Sequence, residues 1–442
     1  MSKYLITGGK PLKGEVSIRG AKNASFKQII ATLLSDEPTQ LTNIPIISDV
    51  KITESICEQL GSKINHTGEH TIEICTPEIL KTSVPFGTGQ KSRTSFLFLA
   101  PLLARKGIAQ FPIPGGDKLG DRPLDRLFDC MKTMNVKIEE SHDLVKVQTS
   151  GLKSTNFKFN KPSHTVTESI IMLSVLTPGI SNFDNCAQEP EIDDLIDLLN
   201  SMGAKIIRNP ADPKQISVTG VSSLHGTKHQ VIADRNEAIT FACAALATKG
   251  TVNILRINPK IIETFLKTIE NMGAQVERGN DEVTVNWCQP LKACDIETGP
   301  EPMFMTDWQA IFTVVASQAI GCSTIIERVF PYRFHHIENF KKMGLKANYF
   351  NPKIKDPNSY YEFNEKSDRP EFFHGVKIYG PTKLQPSNFA INDLRTGASI
   401  TIAALTATGK SVIDGVEYIE RGYEKLADRL CYLGANIEYI KT

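Results

Sequence analysis

The stretch EIDDLIDLLNSMGAKI, Glu191–Ile206, holds in sixteen residues the unit from which most of the chain is assembled. Ile192, Leu195, Ile196, Leu198 and Leu199 fall on one broad face of a helix. Gly203 stands where that helix must end, because glycine takes up the left-handed conformation that closes a helix without steric cost. Alternating residues follow and predict a short strand. The closing phrase recurs as LGSKI (60–64), MNVKI (134–138), MGAQV (272–276), MGLKA (343–347) and LGANI (433–437). Its second residues lie at 61, 135, 203, 273, 344 and 434, so the steps are 74, 68, 70, 71 and 90 residues. Asn135 replaces glycine in one copy, and asparagine is the other residue that most readily turns left-handed.

Upstream of each phrase lies a second helical run: NASFKQIIATLL, RTSFLFLAPLLA, VTESIIMLSVL, EAITFACAALA, WQAIFTVVASQA and GASITIAALTA. Each leads through a turn into a strand such as TVNILRI or STIIERV. The chain is therefore α/β, six helix–strand–helix–strand units of about 70 residues, longer than solenoid repeats. The long last step comes from an insertion, NYFNPKIKDPNSYYEFNEKSDRPEFF (348–373), whose mixture of aromatic and charged residues predicts a surface hairpin or loop.

At 442 residues the chain has room for two or three domains with their own cores. A net charge of +1 gives no global attraction to nucleic acid or an anionic membrane, so any anion site is local. The longest apolar run, Phe96–Ala104, is far short of a membrane span. Nine cysteines without a C-x-x-C pair argue against a disulfide framework or zinc ribbon and fit a reduced, cytoplasmic protein. Cys186 and Cys243 sit in apolar surroundings and read as core. GTGQKS (87–92) lacks the spacing of a phosphate loop and reads as a turn, and the adjacent His335 and His336 lack a partner motif for a metal. No metal or organic cofactor is indicated.

Polar residues recur where the upstream helices begin: Lys22-Asn23, Arg93, Ser163-His164-Thr165, Asp234-Arg235, Asp307 and Asp393 with Arg395. A second set precedes the amphipathic helices: Asp117 and Arg122, Glu189 and Glu191, Arg333, and Glu420-Arg421. Acids at these places are ordinary caps. Cations there oppose the helix dipole, and their repetition points to bound anions. In PGGDKLGDRPLD (114–125), Asp117 beside paired glycines is a turn residue on local chemistry alone.

In order and spacing, GAKNA (20–24), PGGDKLGDRPLD, AQEPEI (187–192), ADRNEA, TDWQA (306–310), ERVFPYRF (327–334), DLRTGAS (393–399) and ERGYEKL (420–426) resemble the enolpyruvyl transferases, specifically the UDP-N-acetylglucosamine 1-carboxyvinyltransferase family. The resemblance spans residues 3 to about 440. It implies a pair of inside-out α/β barrels of three units each, with helices inside and sheets outside. The domains would be 22–231, carrying the Asp117 loop, and 1–21 with 232–442, the active site lying in the cleft between them. The implied partners are two small molecules, phosphoenolpyruvate and UDP-N-acetylglucosamine, with no nucleic acid and no membrane. The enolpyruvyl group passes to the sugar 3′-hydroxyl through a tetrahedral ketal, releasing phosphate, in the first committed step of peptidoglycan precursor synthesis.

On the matching positions Asp307 is the base, and Lys22, Arg122 and Arg421 hold the phosphate and carboxylate of phosphoenolpyruvate. Asn23 assists the intermediate, Arg333 and Arg395 complete an electropositive site, and Asp393 falls among the substrate-binding positions. Arg93, the run Arg122, Pro123, Leu124, Asp125 and Arg126, the run Lys161, Pro162, Ser163 and His164, and Asp307 with Val329 fall on the nucleotide-sugar positions, Asp125 accepting from the uracil N–H. Asp117 stands where the family usually has the cysteine that protonates the methylene carbon and is alkylated by fosfomycin, which implies an aspartate acid and resistance to the drug. His164 and Thr165 replace a small apolar residue and a glycine, and Glu420 replaces the usual aspartate. A transferase for shikimate 3-phosphate or another nucleotide, and a silent UDP-sugar-binding paralogue, stay open at this point.

Overall fold

In a computed structural model, residues 2–90, 93–113 and 124–441 are described. Asp117, Arg122 and Pro123 lie outside them, as does the side chain of Arg93.

The six closing phrases end six helices: Ser48–Leu60, Asp125–Thr133, Pro190–Ser201, Glu263–Asn271, His336–Lys342 and Leu426–Tyr432. All six closing residues have positive φ: Gly61 119°, Asn135 66°, Gly203 98°, Gly273 103°, Gly344 95° and Gly434 96°. That conformation turns the chain from helix to strand, and Asn135 reaches it by donating from Nδ2 to the Gly151 carbonyl at 2.9 Å.

The upstream runs form Lys22–Ala31, Leu99–Lys106 (entered through the turn Arg93–Phe98), His164–Ser174, Arg235–Ala247, Gln309–Gln318 and Leu394–Thr406. Every residue of Arg235–Ala247 is buried, and all of Leu394–Thr406 but Thr406. A helix apolar on all faces is stable only when surrounded, so these helices occupy the centre of each unit. The strands present alternate residues to them, as in Thr251–Leu255, where Val252 and Ile254 are buried.

Six sheets lie around these helices. Five share one order, exemplified by Lys205–Arg208, Ile216–Thr219, Ile180–Asp184 and Asn156–Lys158: an antiparallel trio with a short parallel strand at one edge. In the sixth, Ile108–Pro112, Leu144–Gln148 and Lys137–Glu140 form the trio, and a single parallel bridge from Ser83 to Gln110 takes the edge position.

Residues 2–19 and 233–441 form one compact unit, and residues 20–113 and 124–232 the other, each with a hydrophobic core of its own. The N-terminal strand Lys3–Gly8 lies antiparallel between Gly409–Asp414 and Asn436–Ile440, supplying the last strand of the sixth repeat. Lys13–Ser17 runs parallel to Thr251–Leu255, and Lys228–Gln230 runs parallel to Thr39–Thr42. At each crossing, then, the edge strand stays in the unit the chain is leaving.

The insertion is a surface loop, as the sequence predicts, and most of the described residues of 351–373 are exposed. It contains single helical turns at Pro357–Tyr360 and Glu365–Ser367, and two of its rings, Tyr361 and Phe363, are buried while Phe373 is exposed. Tyr361 stacks on Phe363 at 4.8 Å, His374 packs against both, and Tyr360 lies under Arg328 at 4.3 Å. Those rings supply the burial that a polar loop would lack. All nine cysteines are free thiols, and Cys186 and Cys243 are buried, as their surroundings predict.

Candidate active site

In the unit of residues 2–19 and 233–441 the polar constellation centres on Asp307, in the turn Thr306–Trp308 ahead of the helix Gln309–Gln318. Its Oδ1 accepts from Arg333 Nη2 at 2.7 Å, and its Oδ2 accepts from Arg395 Nη2 at 2.8 Å and Nε at 3.2 Å. Arg395, the second residue of its helix, also donates to the Tyr423 hydroxyl at 3.2 Å, which pairs with Thr240 at 2.8 Å. Burial works against the charge on Arg395, but the Asp307 carboxylate outweighs it and holds the guanidinium protonated above the usual range.

Glu327 ties this turn to the next segment. Fully buried, it accepts from Thr306 Oγ1, from Gln309 Nε2 at 3.3 Å, and from the backbone N–H of Val329 at 2.8 Å and Phe330 at 3.0 Å. Burial pushes its carboxyl pKa up, against the opposing pull of Arg333 and these donors. Asp393 caps the helix Leu394–Thr406, accepting from Thr396 N–H at 2.9 Å, and pairs with His335 at 2.9 Å. Burial opposes its ionisation, yet the hydrogen bonds and charge of His335 and Thr396 hold its carboxyl well below the usual range. His336 is buried beside Thr313, and desolvation pushes it down to about 3, so it is neutral. The paired histidines thus serve separate partners, and among the described residues no group of three or more His, Cys, Asp or Glu could hold a metal ion. Arg421 ends the short helix Val416–Arg421, and Glu420 beside it accepts from the Tyr439 hydroxyl at 2.9 Å.

One helix-start cation departs from the anion-site expectation. Arg235 has no exposed side-chain surface; it bonds Glu301 at 2.7 Å and lies over the Trp308 ring at 5.7 Å. It is a buried structural pair, stabilised by a carboxylate of the protein itself.

In the unit of residues 20–113 and 124–232, Lys22 is the first residue of its helix, with Nζ 2.9 Å from Asp49 in the first turn of Ser48–Leu60. Asn23 follows it, half-buried. Asp125 opens the next amphipathic helix, exposed, with Leu124 packed on the core before it. Arg126 approaches the Pro162 carbonyl at 3.4 Å, which sets the start of that helix beside Lys161–Ser163. Ser163 is extended, with φ −150°, and does not cap the helix His164–Ser174 with its side chain. His164 Nε2 lies 3.1 Å from Glu168 and 3.1 Å from Lys27 Nζ, and Lys27 lies 2.5 Å from the other Glu168 oxygen. Burial lowers the His164 pKa, but the Glu168 carboxylate outweighs it and leaves the imidazole above its ordinary value.

The structure thus gathers Asp307, Arg333 and Arg395 in one unit, and gathers Arg126 with the Lys161–His164 segment in the other. Sequence reasoning passed over Asp49, Glu168 with Lys27, Glu327 and Tyr423. The available signal was a charge inside an otherwise apolar helix, as Lys27 and Glu168 are.

Comparison with known proteins bears out the resemblance. Residues 6–430 match the family described as EPSP synthase (3-phosphoshikimate 1-carboxyvinyltransferase). The UDP-N-acetylglucosamine 1-carboxyvinyltransferase of Acinetobacter baylyi is 36% identical over 442 residues, covering all of both chains. That of Prochlorococcus marinus is 36% identical over 437 residues, covering 98% of this chain and 90% of its own. Among solved structures, the enolpyruvyl transferase NikO from Streptomyces tendae superposes with a TM-score of 0.85 at 20% identity, covering 100% of this chain and 99% of its own. EPSP synthase from Acinetobacter baumannii superposes with a TM-score of 0.71 at 19% identity, over 100% of both chains. These two share the fold. Among the described residues, no helix is long and apolar enough to cross a membrane.

Proposed function

This chain belongs to the EPSP synthase family of carboxyvinyltransferases, and on that premise we propose the following reaction for it. It transfers the enolpyruvyl group of phosphoenolpyruvate to the 3′-hydroxyl of UDP-N-acetylglucosamine and releases phosphate. The full-length identity to relatives carrying that name is the observation that supports this acceptor over shikimate 3-phosphate. The test is phosphate release from phosphoenolpyruvate with each acceptor offered alone. Release with UDP-N-acetylglucosamine and none with shikimate 3-phosphate is expected; the reverse overturns the assignment.

The sugar oxygen bonds to the central carbon of phosphoenolpyruvate while a proton reaches the methylene carbon. Loss of phosphate and of a methyl proton then restores the double bond. Asp307 takes the hydroxyl proton: Arg333 orients its Oδ1 and Arg395 its Oδ2, which hold the carboxylate in place for that transfer. Arg333 and Arg395 fix that carboxylate and add positive charge where negative charge develops. Lys22, Arg122 and Arg421 bind the phosphate and carboxylate of phosphoenolpyruvate, and Asn23 donates to the intermediate. Asp125 accepts from the uracil N–H. Each is assigned through its motif in this family.

Asp117 is the acid at the methylene carbon. An aspartyl carboxyl has a reference pKa of about 3.9 against about 8.5 for a thiol, so its donor form is lost earlier as pH rises. Activity should therefore fall with rising pH, and fosfomycin should not inactivate the protein. Asp117→Ala should be nearly inactive, and Asp117→Cys should move the pH profile upward and create covalent sensitivity to the drug. A fully active Asp117→Ala enzyme returns Asp117 to a turn residue.

A further inference from the structure

The helix His164–Ser174 carries one acid along its buried length, Glu168, whose side chain has no exposed surface. Its two oxygens face Lys27 Nζ at 2.5 Å and His164 Nε2 at 3.1 Å, and those two nitrogens are themselves 3.1 Å apart. The contacts to Glu168 are ionic rather than well-aligned hydrogen bonds. Side-chain exposure is 4% for Lys27 and 0% for Glu168, against 17% for His164, so the cluster reaches solvent mainly through the imidazole. Nδ1 of that ring makes no hydrogen bond among the described residues.

Burying a carboxylate and an ammonium is costly, and an apolar pair would fill the same space at least as stably. What the ionic cluster does that an apolar pair cannot is set the orientation and charge of a histidine. That histidine opens a helix beside Lys161–Ser163, against which Arg126 of the Asp125 helix rests.

We propose that His164 determines acceptor specificity, its Nδ1–H donating to a uracil carbonyl of the nucleotide sugar, with Glu168 and Lys27 as positioning residues. This contact rests on the UDP-sugar reading above. In uracil the ring N–H assigned to Asp125 is flanked by carbonyls, so an adjacent donor completes an acceptor–donor–acceptor match. Cytosine, with an amino group in place of one carbonyl and no ring N–H between, does not fit it.

The imidazolium can satisfy both sides, Nε2–H towards Glu168 and Nδ1–H outward. The neutral ring keeps a single proton; Glu168 favours it on Nε2, against Lys27 Nζ 3.1 Å from the same nitrogen, and with the proton there Nδ1 is an acceptor facing a carbonyl. The charged groups around the ring are Lys27 from the Lys22 helix, Glu168 from its own helix and Glu189 at the start of the Pro190 helix, with Arg126 and Lys161 alongside. Glu168 and Glu189 favour the protonated ring, and burial and Lys27 oppose it. Acceptor affinity should therefore weaken as pH rises through the histidine's titration.

Steady-state kinetics with UDP-N-acetylglucosamine, from about pH 6 to 9, test this. His164→Val should raise the acceptor KM about tenfold, the loss of one charge-assisted hydrogen bond, and flatten its pH dependence. His164→Asn should recover most of the affinity without the pH dependence, and Glu168→Gln should move the weakening to lower pH. Competition by UMP over CMP should narrow in His164→Val. An unchanged KM and pH profile in His164→Val, or a loss confined to kcat, overturns the contact. Wild-type turnover with another acceptor but not this one removes the acceptor reading, and the contact with it. Should Glu168→Gln fail to fold, by its thermal unfolding, the two His164 variants decide.

Discussion

In the unit of residues 2–19 and 233–441 one acid serves two cations: Asp307 takes Arg333 on one oxygen and Arg395 on the other. In the unit of residues 20–113 and 124–232 separate acids on neighbouring helices face the cations, Asp49 towards Lys22 and Glu168 towards Lys27 and His164. Both units place positive charge at the starts of central helices, where the dipole disfavours it. The shared acid makes a network, in which one removal strands two guanidinium groups. The separate acids of the other unit make separate clusters, so removing one leaves the other in place. Loss of function should therefore be concentrated at one residue in the first unit and distributed in the second.

The largest effect should come from the shared acid. Asp307→Asn should lower turnover by about 100-fold or more while nucleotide-sugar binding, measured by calorimetry, largely survives. Turnover near wild type would reduce Asp307 to a structural clamp and erase the contrast. Next comes one of the separate acid–cation contacts of the other unit. Lys22→Ala should weaken the use of phosphoenolpyruvate by about tenfold or more, the loss of a charge-assisted contact, read as its KM or kcat/KM. An effect confined to the nucleotide sugar would move Lys22 out of its assigned role.

A smaller effect tests charge without catalysis. Asn caps a helix as well as Asp, so Asp393→Asn keeps the cap and removes the carboxylate that faces His335. The folded-state pKa of Asp393 is depressed, so its contribution is full above the unfolded value and is lost as pH falls below it. Urea unfolding should show a deficit of about 1–2 kcal/mol at neutral pH, shrinking below about pH 4. A deficit constant with pH would assign the effect to shape. The smallest effects lie at the repeat ends. A side chain at Gly344 meets open space, so Gly344→Ala should cost about 1 kcal/mol from its left-handed φ alone. Asn135→Gly in the other unit should stay within about 0.5 kcal/mol, relief of strain offsetting the lost bond to Gly151.

The repeat and its left-handed ends were legible because a helix must stop before a strand can start, and few residues allow it. The central helices were legible from apolar runs without polar faces. The short edge strands Asn156–Lys158 and Ile296–Glu297 were not, since two or three residues carry no periodicity. The packing of Tyr360 within the insertion was hidden too, because its partner Arg328 lies outside it. At the site, the residue types were legible and their pairing was not. Asp307 meets arginines 26 and 88 residues away, and nothing local distinguishes Arg235, which pairs with Glu301, from Arg395, which pairs with Asp307.

The N-terminal strands carry a consequence for how the protein is made. Lys3–Gly8 and Lys13–Ser17 leave the ribosome first, yet their partners Thr251–Leu255, Gly409–Asp414 and Asn436–Ile440 are translated after the whole of the other unit. At ordinary translation speeds that is a wait on the order of tens of seconds. Over that interval residues 20–232 are synthesised without interruption and can close their own core, while the leading segment is left with bare strand edges. Its residues KYLITG and KGEVS are short, and each carries a lysine, features that keep an unpaired strand from finding the wrong neighbour.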